Sequence, residues 1–223
     1  MTCARCRKSE ALCVCAAMMP VLTRINTVIL QHPQERTEEL GSGWIAHCQL
    51  KRSVLRIGLS WPSLKRVIDD ESVEMKRWGV LYLGAAKEAP QPGEPELLVL
   101  GSKGERLPDA AATLRALTGI ILLDGTWSQA KALWWRNPWL LKAHRLVLNP
   151  NTRSHYGKLR REPRRESLAV IEAAAFALAR LEAQPELEAR ILAPFNLLVE
   201  KIKAGTQPLG QIPELNSRVK FPS

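Results

Sequence analysis

A single carboxylate, that of Asp124, follows a short apolar run at residues 119–123 and precedes Gly125. The run is β-branched at two positions and short, which predicts a strand buried on both faces of an α/β sheet. Gly125 then permits an abrupt turn. Ligands of open α/β sheets bind outside the carboxyl ends of the strands, so Asp124 is a candidate catalytic or binding group. An aspartate here can also serve only as a helix cap, and the motif alone leaves both interpretations open.

A helix over residues 127–137 is predicted directly after this turn. Thr126 and Gln129 have the spacing of a capping box, and the proline that follows the segment ends the helix. Core packing is the first explanation for tryptophans at helical spacing. Trp127 is the exception, because it lies in the first turn beside Asp124 and could contact a ligand. Four of the seven tryptophans lie here: Trp127, Trp134, Trp135 and Trp139.

The cysteines near the N-terminus form a C-x-x-C pair and a C-x-C pair. Two such pairs can supply the four thiolates of one tetrahedral zinc ion. Four protein ligands fill the coordination shell, so this zinc would be structural and would hold a short N-terminal arm. Two disulfides or an iron–sulfur cluster are the alternatives, although nothing else in the sequence indicates an oxidising compartment. The candidate metal ligands are Cys3, Cys6, Cys13 and Cys15.

Positive charge is abundant and unevenly distributed. The chain has 32 Lys and Arg against 22 Asp and Glu, a net charge of +10. Residues 142–165 hold eight basic side chains and one acidic side chain, Glu162. A surface that needs only solubility intersperses the two signs, so this segment indicates phosphate binding, with nucleic acid favoured over a small ligand. Three residues of the cysteine arm could join that contact: Arg5, Arg7 and Lys8.

The length of 223 residues allows one sizeable core and requires no second large domain. The apolar runs are far shorter than the ~20 residues that span a bilayer, and no secretory h-region is present. We therefore expect a cytoplasmic protein with no membrane partner. The expected division is a zinc-binding arm at residues 1–24, a catalytic domain at 25–204 and an extended tail at 205–223.

Alternating strands and helices predict an α/β fold with a mainly parallel sheet and helices on both faces. Proline and glycine residues make 84–96 a loop rather than a linker between domains. The predicted strands are residues 25–30, 79–83, 97–100, 119–123 and 145–148. The predicted helices are residues 38–52, 109–117, 127–137, 164–183 and 185–203.

Polar or glycine-containing loops follow four of these strands, at residues 31–35, 101–104, 124–127 and 149–151. If the strands are parallel, all four loops lie at one edge of the sheet, where a ligand is expected. Each loop alone is typical of an ordinary turn. The sequence contains none of the common glycine-rich nucleotide motifs.

Glu172 lies in an alanine-rich helix whose apolar side is expected to be buried. A carboxylate in such a place is unusual and has two interpretations. It could act in the site, or it could pair with a nearby arginine such as Arg164 or Arg165.

Taken together, these residues resemble the DTW-domain family of tRNA-uridine aminocarboxypropyltransferases. The resemblance runs in the family's order from residue 3 to about residue 181. It includes two departures, Gly41-Ser42-Gly43 where Asn-Thr-Gly is frequent and Ala169-Val170 where Ser-Thr is frequent. The matching motifs are the four cysteines, His32-Pro33-Gln34-Glu35, Asp124-Gly125-Thr126-Trp127, and Tyr156-Gly157-Lys158-Leu159-Arg160-Arg161-Glu162-Pro163 before Ile171-Glu172-Ala173.

The resemblance implies a knotted, SPOUT-like α/β fold that uses S-adenosylmethionine as co-substrate. It implies transfer of a 3-amino-3-carboxypropyl group to N3 of a tRNA uridine, with methylthioadenosine released. Uridine N3 attacks only after it loses its imide proton, so a carboxylate within hydrogen-bond reach can act as general base. We assign that role to Asp124. The oligomeric state stays open.

The loops after residues 100, 123 and 148 are the expected walls of the S-adenosylmethionine pocket, with Arg153 or Arg160 pairing its carboxylate. The target uridine must be unstacked, and Trp127 or Tyr156 could stack on it. The pocket is assigned to Gly101, Ser102, Asp124, Gly125, Thr126, Trp127 and Leu148. RNA binding is assigned to His32, Arg153, Tyr156, Lys158, Arg160, Arg161, Arg164 and Arg165.

Two other functions fit the same residues. One is an RNA methyltransferase of similar fold. The other is a zinc-containing RNA-binding protein without catalysis, in which Asp124 is only a cap.

Overall fold

Six strands form one sheet in the computed structural model, which describes residues 1–81, 95–101, 104–149, 154–155 and 168–206. In chain order the strands are β1 (Asn26–Gln31), β2 (Ser53–Ile57), β3 (Trp78–Leu81), β4 (Leu97–Leu100), β5 (Gly119–Asp124) and β6 (His144–Leu148). The helices are α1 (Gly43–Gln49), α2 (Leu64–Ile68), α3 (Ala110–Ala116), α4 (Trp127–Arg136), α5 (Val170–Leu181) and α6 (Glu186–Thr206). Short 3₁₀ turns lie at Cys15–Ala17, Pro33–Thr37, Met75–Arg77 and Pro138–Lys142.

The strand order is β2-β1-β5-β3-β6-β4. All neighbouring pairs are parallel except β4 with β6. The prediction of a mainly parallel sheet is therefore confirmed. The register of β1 and β5 sets their last residues, Gln31 and Asp124, side by side.

The antiparallel edge strand β4 changes one prediction. Leu97 pairs with Leu148 and Leu100 pairs with Arg145, so β4 ends where β6 begins. Gly101 therefore lies at the edge of the sheet opposite to Asp124. The prediction that the loop at residues 101–104 converges with the other strand-end loops is wrong, because it required β4 to be parallel.

Helices cover both faces of the sheet, as predicted. On one face, α1, α5 and α6 pack with β1 and β5 around buried residues such as Ile29, Ile120 and Phe195. On the other face, α2 and α4 pack around Leu30, Ile121 and other buried residues. None of the helices in the described ranges combines the length and the hydrophobicity that crossing a bilayer requires.

Some boundaries differ from the predicted ones. The helix expected over 38–52 covers only Gly43–Gln49, because the preceding residues form turns, in which the Gly41 amide donates to the Glu38 carbonyl at 3.0 Å. Strand β2 and the short helix α2 were not predicted. Helix α5 begins at Val170 rather than 164, and residues 164–167 lie outside the described part.

The cysteine arm belongs to the main core. Cys6 and Val14 are fully buried in the cluster that α5 and α6 form with the sheet. The Lys201 ammonium of α6 donates to the carbonyl of Cys13 at 2.7 Å. The arm is thus held by the same packing as the sheet.

Candidate active site at the carboxyl edge of the sheet

Asp124 is the last residue of β5 and is almost fully buried, with 2% of its surface exposed. The side-chain amide of Gln31 donates to Asp124 Oδ2 at 2.7 Å. The Asp124 carbonyl accepts from the His32 amide at 2.8 Å. Pairing of β1 with β5 therefore fixes both the backbone and the carboxylate of Asp124.

The backbone of Gly43 lies directly against this carboxylate. A Cβ at Gly43 would stand 2.0 Å from Asp124 Oδ2 and 2.7 Å from its Cγ. Only glycine permits such an approach, because any other residue would force either the first turn of α1 or Asp124 to move. Gly43 thus determines how close α1 comes to Asp124.

The turn after Asp124 has the predicted form. Gly125 has a φ of +156°, and a Cβ there would lie 2.8 Å from that of Gln129. The capping box is confirmed, since Thr126 Oγ1 accepts from the Gln129 amide and Gln129 Oε1 accepts from the Thr126 amide. The Gln129 side chain also donates to Gln34 Oε1 at 3.0 Å. The H-P-Q-E and D-G-T-W motifs therefore lie together.

The tryptophans of α4 and the turn after it have different roles. Trp134 packs against the core and Trp139 is buried, as the core-packing interpretation predicts. Trp135, which lies outside the helical stripe of residues 127, 130 and 134, is 78% exposed. Trp127 is half-buried at the edge of the site, with the Lys131 ammonium 5.6 Å from the centre of its ring.

Glu172 has a structural role in α5. Its buried carboxylate accepts hydrogen bonds from the Ala169 amide at 2.7 Å, the His155 amide at 2.6 Å and the Ser154 hydroxyl at 2.7 Å. Two of these donors belong to the basic segment and the third is the residue before α5, so Glu172 links part of that segment to the beginning of α5. The suggested partners Arg164 and Arg165 lie outside the described residues.

Residues 38–43, which we call the junction loop, connect the site to the cysteine arm. The Ser42 hydroxyl accepts from the Ile171 amide of α5 at 3.3 Å. Lys8 Nζ donates to three carbonyls of the loop, those of Glu38, Glu39 and Gly41. The loop thus contacts the arm on one side and the beginning of α5 on the other.

Lys8 is buried, with 6% of its surface exposed, so the expectation that it contacts nucleic acid is wrong. The pKa of Lys8 is lowered, because burial outweighs the opposing effect of the nearby groups. The groups that raise it are Cys6, Glu35, Glu39 and Asp124. A buried ammonium is tolerated only when it is hydrogen-bonded and paired, which agrees with this environment.

Four thiols of the arm form a cluster that could hold a metal ion. The Sγ atoms all lie within 4.8 Å of one another, with Cys3 and Cys15 at 3.6 Å and Cys6 and Cys13 at 3.7 Å. Zn–S bonds of about 2.3 Å in a tetrahedron place sulfurs about 3.8 Å apart, so the spacing fits a tetrahedral ion. The same separations exclude disulfide bonds, and all five cysteines are free thiols.

The cluster also has the electrostatics of a cation site. The amides of Cys6 and Arg5 lower the pKa of the Cys3 thiol to about 6. Burial and hydrogen bonds from the neighbouring thiols, first that of Cys3, raise the pKa of Cys15 to about 12. Four thiols this close cannot all ionise without a cation, so binding of a divalent metal would release protons.

The arm, the junction loop and the D-G-T-W turn all fall within one known domain. The family model for the DTW domain matches residues 1–203. The chain belongs to the DTW-domain family.

Curated DTW relatives of this chain carry the name tRNA-uridine aminocarboxypropyltransferase 2. The protein of Drosophila melanogaster is 27% identical over 88% of this chain and 72% of its own length. The protein of Mus musculus is 28% identical over 88% of this chain and 61% of its own length, and that of Macaca fascicularis is 26% identical over the same shares. The chain thus spans less than two thirds of the two mammalian relatives. No solved structure matches the chain.

The structure brings part of the predicted DTW site together. His32, Asp124, Gly125, Thr126 and Trp127 lie around one turn, with the His32 ring accepting from the Gln34 amide. Leu148 is at the same edge. Val80 pairs with Ile121 on one side and with Arg145 on the other, and Asp124 and Leu148 each follow these partners by three residues. Gly101 is at the opposite edge. The positions outside the described residues are Ser102, Arg153, Tyr156, Lys158, Arg160, Arg161, Arg164 and Arg165.

Three residues around this DTW site have contacts that the sequence did not assign to them. Gln31 and Gly43 lie against the Asp124 carboxylate, and Lys8 lies behind the junction loop. In the sequence, Gln31 belongs to a strand-end loop, Gly43 to the Gly41-Ser42-Gly43 departure from the family pattern, and Lys8 to the basic residues of the arm.

Proposed function

We propose that this chain transfers the 3-amino-3-carboxypropyl group of S-adenosylmethionine to N3 of a tRNA uridine and releases methylthioadenosine. The curated DTW relatives carry the name of this activity. The observation that carries the proposal is the buried Asp124, held by Gln31 at the edge of the sheet where DTW-specific motifs meet.

Asp124 acts as the general base in this proposal. Its carboxylate takes the imide proton of uridine N3, and N3 then attacks the γ-carbon of the methionine moiety. The bond between that carbon and sulfur breaks, its electron pair goes to sulfur, and neutral methylthioadenosine leaves. Gln31 fixes the orientation of the base, because it donates to Oδ2.

Binding of S-adenosylmethionine is proposed for the turn at residues 124–127 and for Leu148. Support comes from their common edge and from the close backbone approach that Gly43 and Gly125 allow. Gly101 is left out of this set, because β4 runs antiparallel and carries it to the other edge. Its neighbour Ser102 and the candidate carboxylate partners Arg153 and Arg160 remain sequence-based assignments.

The RNA surface is proposed to include His32 and the basic residues of 153–165. His32 lies in the turn beside Asp124, so a nucleotide that reaches the base must pass close to it. Trp127 is proposed to stack on the unstacked uridine, since its half-buried ring lies in the first turn of α4. We further propose a knotted, SPOUT-like chain path, which the mainly parallel sheet and the DTW membership support.

The metal in the cysteine cluster is proposed to be zinc with a structural role. The sulfur spacing and the set of four thiols fit Zn²⁺, and the four ligands leave no position for a substrate. Protein purified without chelator should contain one zinc ion, which Cys3→Ser together with Cys6→Ser should remove. Metal analysis by mass spectrometry checks this, with Cys48→Ser as the matched control that keeps the ion. Full zinc content in the double variant would contradict the assignment.

The test of the reaction uses two preparations of S-adenosylmethionine, one labelled in the methyl carbon and one in the carboxypropyl carbons. We expect label in tRNA only from the second preparation. Label from the methyl carbon would identify a methyltransferase instead. No transfer from either preparation, with tRNA still bound, would identify an RNA-binding protein without catalysis.

A further inference from the structure

We propose that Lys8 is a positioning residue that couples the cysteine cluster to Asp124. The inference rests on the proposed function, because it gives Lys8 a part in the same reaction. Lys8 does not reach the substrate in this proposal. It acts through the junction loop.

The backbone of Lys8 is held in place by the cysteine arm. Lys8 follows Cys6 by two residues, and its carbonyl accepts from the Cys3 amide at 2.8 Å. Cys6 is fully buried in the main core. Lys8 therefore sits on the turn that carries the first two cysteines, and its position depends on the geometry of the cluster.

The other end of Lys8 holds the junction loop. Its Nζ donates to the carbonyls of Glu39 at 2.6 Å, Gly41 at 2.8 Å and Glu38 at 3.3 Å. An ammonium has three hydrogens, so these three bonds use its full donor capacity. Three carbonyls from one short segment are thus drawn to a single point on the arm.

The junction loop in turn sets the surroundings of Asp124. Two glycines of the loop lie against carboxylates. A Cβ at Gly41 would lie 3.5 Å from a carboxylate oxygen of Glu35, and a Cβ at Gly43 would lie 2.0 Å from Asp124 Oδ2. A shift of the loop would therefore move the backbone that packs against the proposed base. An apolar side chain in place of Lys8 would fill the same buried space at a lower desolvation cost. A lysine at this position therefore indicates a need for its hydrogen bonds to the loop.

Lys201 offers a matched control. It is also a lysine that anchors the arm, and its Nζ donates to the Cys13 carbonyl at 2.7 Å from α6. The contact is on the second cysteine pair rather than on the junction loop. Loss of Lys201 therefore removes one contact of the second cysteine pair and leaves the three bonds from Lys8 to the junction loop in place.

The experiment compares Lys8→Met, Lys8→Gln and Lys201→Met with the wild-type zinc-loaded protein. Four quantities are measured: zinc content, tRNA affinity, hydrogen exchange of peptides covering residues 38–43, and the single-turnover rate of transfer at saturating tRNA and S-adenosylmethionine. The Gln side chain of Lys8→Gln keeps two N–H donors, so its hydrogen exchange and its transfer rate should lie between those of the wild type and of Lys8→Met. Lys8→Gln also carries the test if Lys8→Met does not fold.

We expect Lys8→Met to raise exchange in residues 38–43 and to lower the transfer rate by at least about tenfold, since small displacements of catalytic groups are costly. Its zinc content and tRNA affinity should stay at the wild-type values. Lys201→Met should leave both the exchange of the loop and the rate unchanged.

A wild-type rate in Lys8→Met would overturn the proposal, and so would an equal loss of rate in Lys201→Met. Failure of the wild-type protein to transfer any group would instead overturn the proposed function. In that case the exchange of residues 38–43 still shows whether Lys8 holds the loop.

Discussion

The surroundings of Asp124 are assembled from residues far apart in the chain. Gln31 precedes it by 93 positions and donates to its carboxylate, while Gly43 contributes backbone to the same carboxylate. The sequence could predict Asp124 and its capping box, because a strand, a glycine turn and a cap are local signals. It also placed the loop at 31–35 at the same edge as Asp124, but the Gln31 hydrogen bond depends on the register of β1 and β5, and the Gly43 contact depends on the packing of α1.

Substitution of Gly43 tests this packing at the scale of one residue. Gly43→Ala puts a methyl group 2.0 Å from Asp124 Oδ2, so the carboxylate or α1 must move. We expect a loss of about 1–3 kcal/mol in the free energy of unfolding, measured by urea denaturation, together with a lower transfer rate. Gly205→Ala is the control, since a Cβ there meets no atom within 4 Å. Equal stability and rate in both variants would contradict the observed packing.

At the scale of elements, the beginning of α5 and the residues around the basic segment form one unit through Glu172. The helix itself was predictable from its apolar periodicity, but the function of Glu172 was not, because its donors at 154 and 155 precede it by more than a helical turn. The edge strand β4 shows a similar limit. Its apolar run predicted a strand, whereas its antiparallel direction depends on its pairing with β6.

Removal of the Glu172 carboxylate should break the link between residues 154–155 and the beginning of α5. Glu172→Ala leaves the buried Ala169 amide without its acceptor, at a cost of about 1–3 kcal/mol, and also removes the acceptor of the amide of the exposed His155. We expect weaker tRNA binding, measured by fluorescence anisotropy, because Ser154 and His155 of the basic segment lose their link to α5. Glu182→Ala is the control, since Glu182 also accepts a backbone amide but lies after the other end of α5. Equal tRNA affinity of Glu172→Ala and wild type would contradict this role.

At the scale of the whole molecule, one core unites the cysteine arm, the sheet and the site. Composition and the alternation of elements predicted the α/β class, and the net charge of +10 predicted a polyanionic partner. The attachment of the arm to α6 through Lys201 and to the junction loop through Lys8 required the structure. Strand β2 gave no signal because Ser53 and Arg56 interrupt its apolar residues, whereas the still shorter β4 is an unbroken apolar run.

The charge excess should make tRNA binding strongly dependent on salt. If about seven basic side chains each neutralise one phosphate, affinity should fall about 10³- to 10⁴-fold between 50 and 200 mM salt. A titration of tRNA at several salt concentrations gives the slope directly. The methylated-lysine protein serves as a control, because methylation keeps the charge and should keep the slope. A slope near zero would contradict binding through the basic segment.

The most direct test of the account replaces the proposed base. Asp124→Asn keeps an oxygen that can accept from Gln31, so the geometry of the site should persist while the base is lost. Methylthioadenosine release and modified uridine are measured in single turnovers, with tRNA affinity measured beside them. We predict a rate reduced by about 10²–10⁴-fold with tRNA affinity unchanged, because general bases contribute rate enhancements of that size. Transfer by Asp124→Asn at the wild-type rate would contradict the account.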